Sequence, residues 1–349
     1  MSTYERERMK KTIFSCIGLV LLFAILLGLA QALLVPKYMT ASREGALIGE
    51  YYAEADQSHD VIFLGDCEVY ESFTPPTLYE EYGITSYIRG SAQQLVWQSY
   101  YLLEEMLKYE TPKAVVFNVL ALKYGEPQKE AYNRMTLDGM RFSASKLRAI
   151  RASMTEEESV ISYLVPLLRY HSRWQEVGEE DWKYLFRRDT VSHNGYLMQT
   201  GIKGGRSSIV GSPLADPTLP HTAMEYLEKM RLLCEQNGVE LILIKAPTND
   251  WKYYWYDEWE TQIKAYAAEH ALAYYNFIPL CDEIGLDWST DTYDAGVHLN
   301  VYGAEKLTRY FGRILAEEHG LQSHKGESEM DRIWTEKLNA YYAERNRVQ

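Results

Sequence analysis

Three residue types that together can move an acyl group stand at places where a fold could bring them together. They are Cys67 in Gly65-Asp66-Cys67-Glu68, His298 in Asp294-Ala295-Gly296-Val297-His298-Leu299-Asn300, and Asp294 itself. A thiol beside an imidazole becomes a nucleophile because the ring takes its proton, and a carboxylate behind the ring orients it. Gly90 and Asn118 would supply the other half of that chemistry, a backbone N–H and a side-chain amide that donate to an oxygen on which negative charge develops. Asp291 is the spare carboxylate should Asp294 point elsewhere. No metal or organic cofactor is called for.

Each of these residues also has a plainer reading. Cysteines are commonly buried and inert, acidic loop residues are commonly just solvated, and Asn and Gly after a strand often serve only the turn. Asp66, Glu68 and Glu71 set like charge around Cys67 and disfavour a thiolate, whereas a helix N-terminus after the glycine turn favours one. His171, His193 and His221 lack metal-ligand spacing. Outside the N-terminal apolar run the cysteines are Cys67, Cys234 and Cys281, an odd number without C-x-x-C spacing, so neither a zinc site nor a full disulfide framework is indicated.

The elements that must position these groups read as alternating strands and helices. Apolar runs at 61–65, 84–89, 114–119, 239–245 and 272–277 predict strands. Leu95, Leu102, Leu103, Met106 and Leu107 form the stripe of one helix, and further helices are predicted over 222–236, over 257–270 and after Gly303. Such alternation implies an α/β fold, a three-layer, flavodoxin-like parallel sheet covered by helices on both faces. Cys67, Gly90, Asn118 and the His298 loop then all follow strand ends, where open parallel sheets bind their ligands.

Residues 125–220 break the repeat and read as an insertion, a candidate cap over the sheet's end. The 29 tyrosines and 8 tryptophans are many for 349 residues, and after the fourth strand Trp251, Tyr254 and Trp255 belong to a dense aromatic patch. That patch is a candidate glycan platform, or equally a filling between cap and core.

Residues 12–35 carry no charge and are long enough as a helix to cross a bilayer. Arg6, Arg8, Lys10 and Lys11 precede them, which places residues 1–11 in the cytoplasm and everything after Pro36 outside. A cleaved signal peptide is the alternative, since Ala30-Gln31-Ala32 is an A-x-A pattern, but the apolar run is longer than usual for one. The expected organisation is a linker over 36–58, the α/β domain over 59–322 and a charged, peripheral tail over 323–349. The net charge of −13 leaves no footprint for nucleic acid.

In order and placement, Gly65-Asp66-Cys67, Gly90, Asn118 and the late Asp294 with His298-Leu299-Asn300 resemble the blocks of the SGNH/GDSL family of ester hydrolases and acyltransferases, over about residues 59 to 318. Gly65 to Glu68 together with Arg89-Gly90-Ser91-Ala92-Gln93-Gln94 is similar to the membrane-anchored proteins that assist D-alanylation of teichoic acids. The resemblance implies acyl-ester chemistry on a cell-envelope polymer or acylated glycan, with a membrane-bound O-acyltransferase as a partner. Two departures stand out. Cys67 replaces the usual Ser, and Asp294 stands four residues before His298 where the family has three. The competing reading is a fold that has lost catalysis and serves as a glycan-binding or accessory subunit of an O-acyltransferase system.

Overall fold

The computed structural model describes residues 3–36, 45–54, 58–187, 190–205, 214–249 and 256–348. Five short strands form one parallel sheet: β1 (Val61–Gly65), β2 (Ser86–Gly90), β3 (Ala114–Asn118), β4 (Glu240–Lys245) and β5 (Ala273–Asn276), in the order β2-β1-β3-β4-β5. Ile62 pairs with Tyr87 on one side and Val115 on the other, and Val116 pairs with Ile242. Because successive side chains alternate faces, each strand feeds two cores. Ile62, Leu64, Val115, Phe117, Leu241 and Leu243 face one helical layer, and Val61, Phe63, Ala114, Val116, Ile242 and Ile244 face the other.

The chain enters through α1 (Thr3–Leu34), a single helix long and apolar enough to be a membrane span or a signal sequence, with a mean hydropathy of 2.8 in its most apolar window. Then come α2 (Ala46–Glu50), α3 (Cys67–Tyr70), α4 (Pro75–Tyr82) and α5 (Val96–Met106). The region after β3 holds α6 (Glu130–Leu137), α7 (Ala144–Ser153), α8 (Val160–Leu164), α9 (Leu167–Tyr170) and α10 (Glu179–Phe186). The repeat resumes with α11 (His221–Gln236), α12 (Tyr256–Glu269), α13 (Cys281–Ile284), α14 (Val301–Glu317) and α15 (Ser328–Arg345). Residues of α5, α11 and α12 build the first core, and those of α4 and α14 build the second. The sheet is therefore the middle of three layers.

Three details differ from what the sequence suggests. The stretch expected as a linker contains α2, whose Leu47 and Ile48 are buried and lead to the buried Tyr51. Tyr51 donates to Glu110 Oε1 at 2.7 Å, and Glu110 in turn accepts from the His59 backbone N–H at 2.8 Å. The expected peripheral tail is helical but packed. Trp334 stacks on Tyr79 with ring centroids 4.7 Å apart, and Tyr341 donates to Glu305 Oε1 at 2.8 Å. Both rings are buried, so the charge along α15 marks only its outer face.

The region after β3 is not simply a lid. Its helices lie beside α5, where Asn133 accepts from Gln98 Nε2 at 3.0 Å, and its returning limb runs along the β2 edge. There the Ile88 N–H donates to Asn194 O at 2.9 Å, and Asn194 Nδ2 donates to Ser86 O at 3.1 Å. The limb then reaches the site: Leu197 N–H donates to Tyr70 O at 2.8 Å, Val301 N–H to Gln199 O at 2.7 Å and Lys203 N–H to Thr292 O at 2.9 Å.

Candidate active site

The strand order reverses between β1 and β3, and a crevice forms at such a switch point beyond the carboxyl ends of the strands. Gly65 ends β1 against its neighbours so closely that a Cβ would run into Val69, with Asn118 Cβ at 3.1 Å. Only glycine permits that approach. Asp66 then caps α3, accepting from the Glu68 N–H at 3.2 Å, and Cys67 is the first helical residue. Its own N–H belongs to the helix end that lacks intrahelical acceptors.

His298 arrives from the far end of the chain. Its Nε2 stands 3.0 Å from Cys67 Sγ, and its Nδ1 stands 2.6 Å from Asp294 Oδ2. Asp294 Oδ1 also accepts from the His298 backbone N–H at 2.8 Å, so one carboxylate fixes both the ring and the chain that carries it. Between the two, Ala295 and Gly296 both adopt left-handed backbone, with φ of 65° and 90°. This double turn brings the His298 backbone N–H back onto Asp294. Asn300 closes the loop by capping α14, accepting from the Tyr302 and Gly303 N–H groups. Asp291 is elsewhere: its Oδ2 accepts from Lys306 Nζ at 2.6 Å and from the Asp287 N–H at 2.8 Å.

A second carboxylate, Glu71, lies behind the imidazole, with Oε2 3.8 Å from His298 Nδ1. Tyr293 donates to that oxygen at 2.8 Å and Gln199 Nε2 donates to Oε1 at 3.2 Å, while the Tyr293 ring lies nearly parallel to the imidazole. The sequence marks Glu71 only as a like charge near Cys67, and nothing in local spacing points to Tyr293 or Gln199. Only the fold brings them to one ring.

The electrostatics follow from burial and these neighbours. Burial, reinforced by the charge of Asp66, pushes the Cys67 thiol up to about 11 against the pull of His298. Burial works against the imidazolium, yet the charge of Cys67 and the hydrogen bond to Asp294 outweigh it and raise His298 to about 12. The larger of those supports exists only while Cys67 is a thiolate. With the thiol protonated, Asp294 and Glu71 are what favour a charged ring. Burial also lifts the Glu71 carboxyl to about 7. Asp294, although burial opposes it, is held below the usual carboxylate range by its bonds to His298.

The two expected oxyanion donors differ. Gly90 pairs with Gly65 across β1 and β2, and a Cβ there would come within 2.9 Å of Gly65 O, so its backbone lies against the turn that carries Cys67. Asn118 ends β3 beside the same turn, but its amide is engaged: Nδ2 donates to Glu68 Oε2 at 3.0 Å and approaches Asp66 Oδ1 at 3.4 Å. Glu68 is in turn gripped by Lys245 Nζ at 2.7 Å, both side chains being buried. Asn118, expected to donate to an oxyanion, here spends its amide on the two buried carboxylates beside it.

Trp251, Tyr254 and Trp255 lie outside the described residues. His171, His193 and His221 lie away from the imidazole just described: His193 Nε2 contacts Glu344 at 2.9 Å, and His171 Nδ1 contacts Leu168 O at 3.1 Å. All four cysteines are free, and among the described residues no group of three or more His, Cys, Asp or Glu is placed to hold a metal ion.

No family model and no curated protein matches the chain. Solved structures do. The similarity is to GDSL-type proteins. A protein assigned to the G-D-S-L lipolytic family from Desulfitobacterium hafniense DCB-2 matches at 12 % identity and a TM-score of 0.38, covering 74 % of this chain and 100 % of its own. A GDSL-like lipase from Bacteroides thetaiotaomicron VPI-5482 matches at 12 % identity and a TM-score of 0.37, covering 77 % and 95 %. A protein assigned as an acylhydrolase from Bacteroides fragilis NCTC 9343 matches at 12 % identity and a TM-score of 0.34, covering 76 % and 89 %. None of these three is a teichoic acid D-alanylation protein.

Proposed function

We propose that this chain is a membrane-anchored esterase or O-acyltransferase that works outside the cytoplasm on acyl esters of a cell-envelope polysaccharide or lipid-linked polymer. The observation that carries the reading is the unbroken line from Cys67 Sγ through His298 to Asp294, with spacings of 3.0 and 2.6 Å. Starting from the neutral imidazole, Sγ passes its proton to Nε2 and attacks the acyl carbonyl carbon. The oxyanion that results accepts from the Cys67 and Gly90 N–H groups. As the intermediate collapses, the carbon–oxygen bond of the ester breaks and Nε2 returns its proton to the departing alcohol. A thioester remains on Cys67. Water, or a hydroxyl of an acceptor polymer, then gives a proton to His298, attacks the thioester and releases the thiol. The basic residues Arg6, Arg8, Lys10 and Lys11 before the apolar run support an anchor with its folded domain outside.

The test is to trap the acyl-enzyme. The full chain in detergent micelles, treated with p-nitrophenyl acetate, is expected to carry one acetyl group on the Cys67 peptide, removable by hydroxylamine, and none after His298→Ala. An unmodified Cys67 peptide across short-chain esters would defeat the proposal.

One observation favours a second reading, an accessory subunit that binds an envelope polymer or a membrane-bound O-acyltransferase. Asn118 Nδ2 donates to Glu68 Oε2, so the side chain expected to serve the oxyanion is already engaged. An accessory chain would keep its partner after Cys67→Ala and show no acyl adduct in either form.

A further inference from the structure

The segment between α8 and the end of α10 exposes more large apolar side chains than its neighbours in the fold: Leu168 is 55 % exposed, Trp174 66 %, Trp182 54 % and Phe186 89 %. A single exposed apolar residue needs no explanation, but four on one twenty-residue segment do. Their position supplies it. Both α9 and α10, and the turn between them, pack against α1. The residues of α1 that are partly covered lie in its last two turns, Leu27 and Ala30 to Leu34, whereas the rest of the apolar run is open. The Arg173 guanidinium fastens the contact, donating from Nη1 to Leu34 O at 2.9 Å and from Nη2 to Asp181 Oδ1 at 2.9 Å.

The depth of that contact decides what covers the aromatic rings. The uncharged run from Thr12 to Val35 is about 36 Å long as a helix, against a hydrocarbon layer of about 30 Å. Its last two turns therefore straddle the boundary between acyl chains and headgroups. Whatever packs beside those turns lies at the same level. Trp and Phe are the side chains that settle there, with an apolar body toward the acyl chains and, for Trp, an N–H toward the headgroups.

We infer that α9, α10 and the turn joining them form an interfacial foot, with Leu168, Trp174, Trp182 and Phe186 seated in the bilayer surface where α1 emerges. The inference rests on α1 being a membrane anchor. The foot fixes the domain against the membrane instead of leaving it free on a tether.

The sequence makes the test clean, because α1 contains no tryptophan. The full chain is reconstituted in vesicles of phosphatidylcholine and phosphatidylglycerol, with part of the lipid brominated near the headgroup end of the acyl chains. Tryptophan emission is expected to be quenched in the parent, and Trp174→Phe/Trp182→Phe to lose most of the quenching while the chain stays bound. Equal quenching in parent and variant, or none in a parent that survives an alkaline wash of the vesicles, overturns the foot and leaves the anchor intact. A chain that the wash removes overturns the anchor, and the foot with it.

Discussion

Lys245 Nζ reaches Glu68 Oε2 at 2.7 Å in a place where neither side chain meets solvent, and Asn118 leans on the same oxygen. Two charges taken out of water recover their desolvation cost only as a pair. Lys245→Met, which strands Glu68, should cost about 3–5 kcal/mol, whereas Glu68→Leu/Lys245→Met should fold with roughly parental stability. Urea denaturation of the three chains measures this, and a single variant as stable as its parent would contradict the pairing.

Reactivity of Cys67 should follow its raised thiol. Below about 11 the thiolate fraction climbs tenfold for each pH unit, so labelling by iodoacetamide should be slow at neutral pH and accelerate steadily in alkali. His298 pulls the thiol down, and His298→Ala should therefore slow labelling at pH 8. Peptide mass mapping separates Cys67 from Cys16, Cys234 and Cys281. Identical rates in the two chains would mean that Sγ and Nε2 do not interact.

Glu71 gives the fold a pH dependence of known sign. Its carboxyl is raised to about 7 in the folded chain by burial, so the folded state keeps a proton that the unfolded state gives up at a lower pH. The stability it provides is complete below the unfolded value of about 4.3 and is lost as pH rises through 7, a change of about 4 kcal/mol. Glu71→Gln cannot ionise. Its Tm should fall less than the parent's between pH 5 and pH 8, and parallel curves would remove Glu71 as the cause.

Under the esterase proposal, Asp294→Asn should lower kcat/KM by about 10²–10⁴, because the ring loses the acceptor that sets its tautomer. Asp291→Asn should leave turnover near normal but lower Tm, since Asp291 holds Lys306 and the Asp287 N–H rather than the imidazole. Steady-state kinetics and melting of both variants decide it. The reverse pattern would exchange the two roles.

Trp334 is expected to behave as a core residue. Its ring is 2 % exposed and stacks on Tyr79, and Trp334→Ala should cost about 3–5 kcal/mol. Denaturant midpoints check this. A loss no larger than that of an exposed residue would return α15 to the role of a loose tail.

Strands β1, β3 and β4 are legible from the sequence because both faces are buried, which makes each a nearly continuous apolar run. The turn that carries Cys67 is legible for a related reason: a glycine directly after a buried strand is a local signal of a tight turn, whereas the capping role of Asp66 shows only in the structure. The histidine of the second loop is in view before the last helix, but spacing does not choose between Asp294 and Asp291, and only the fold puts Asp294 on the ring and Asp291 on Lys306. What escapes is long-range polar chemistry. Glu68 and Lys245 are 177 positions apart, and no periodicity announces that a lysine at the end of a strand reaches back under the nucleophile helix. The same blindness affects α2 and α15, where a few buried side chains are outnumbered by charged neighbours. It also explains Asn118, whose placement after β3 is readable but whose partners are not.

The returning limb from Tyr196 to Gly205 bonds through its backbone to Tyr70, Thr292, Trp288 and Val301, thus to the ends of both loops that carry Cys67 and His298. That stitching separates the insertion into parts with different roles. Helices 130–186 give Leu137, Ala149, Ile150 and Tyr163 to the first core, whereas the ten-residue limb is a seam between the two loops of the candidate site. Losing it would unfasten the loop of His298 from the helix of Cys67, so the spacing between the two side chains depends on a segment that contributes neither of them.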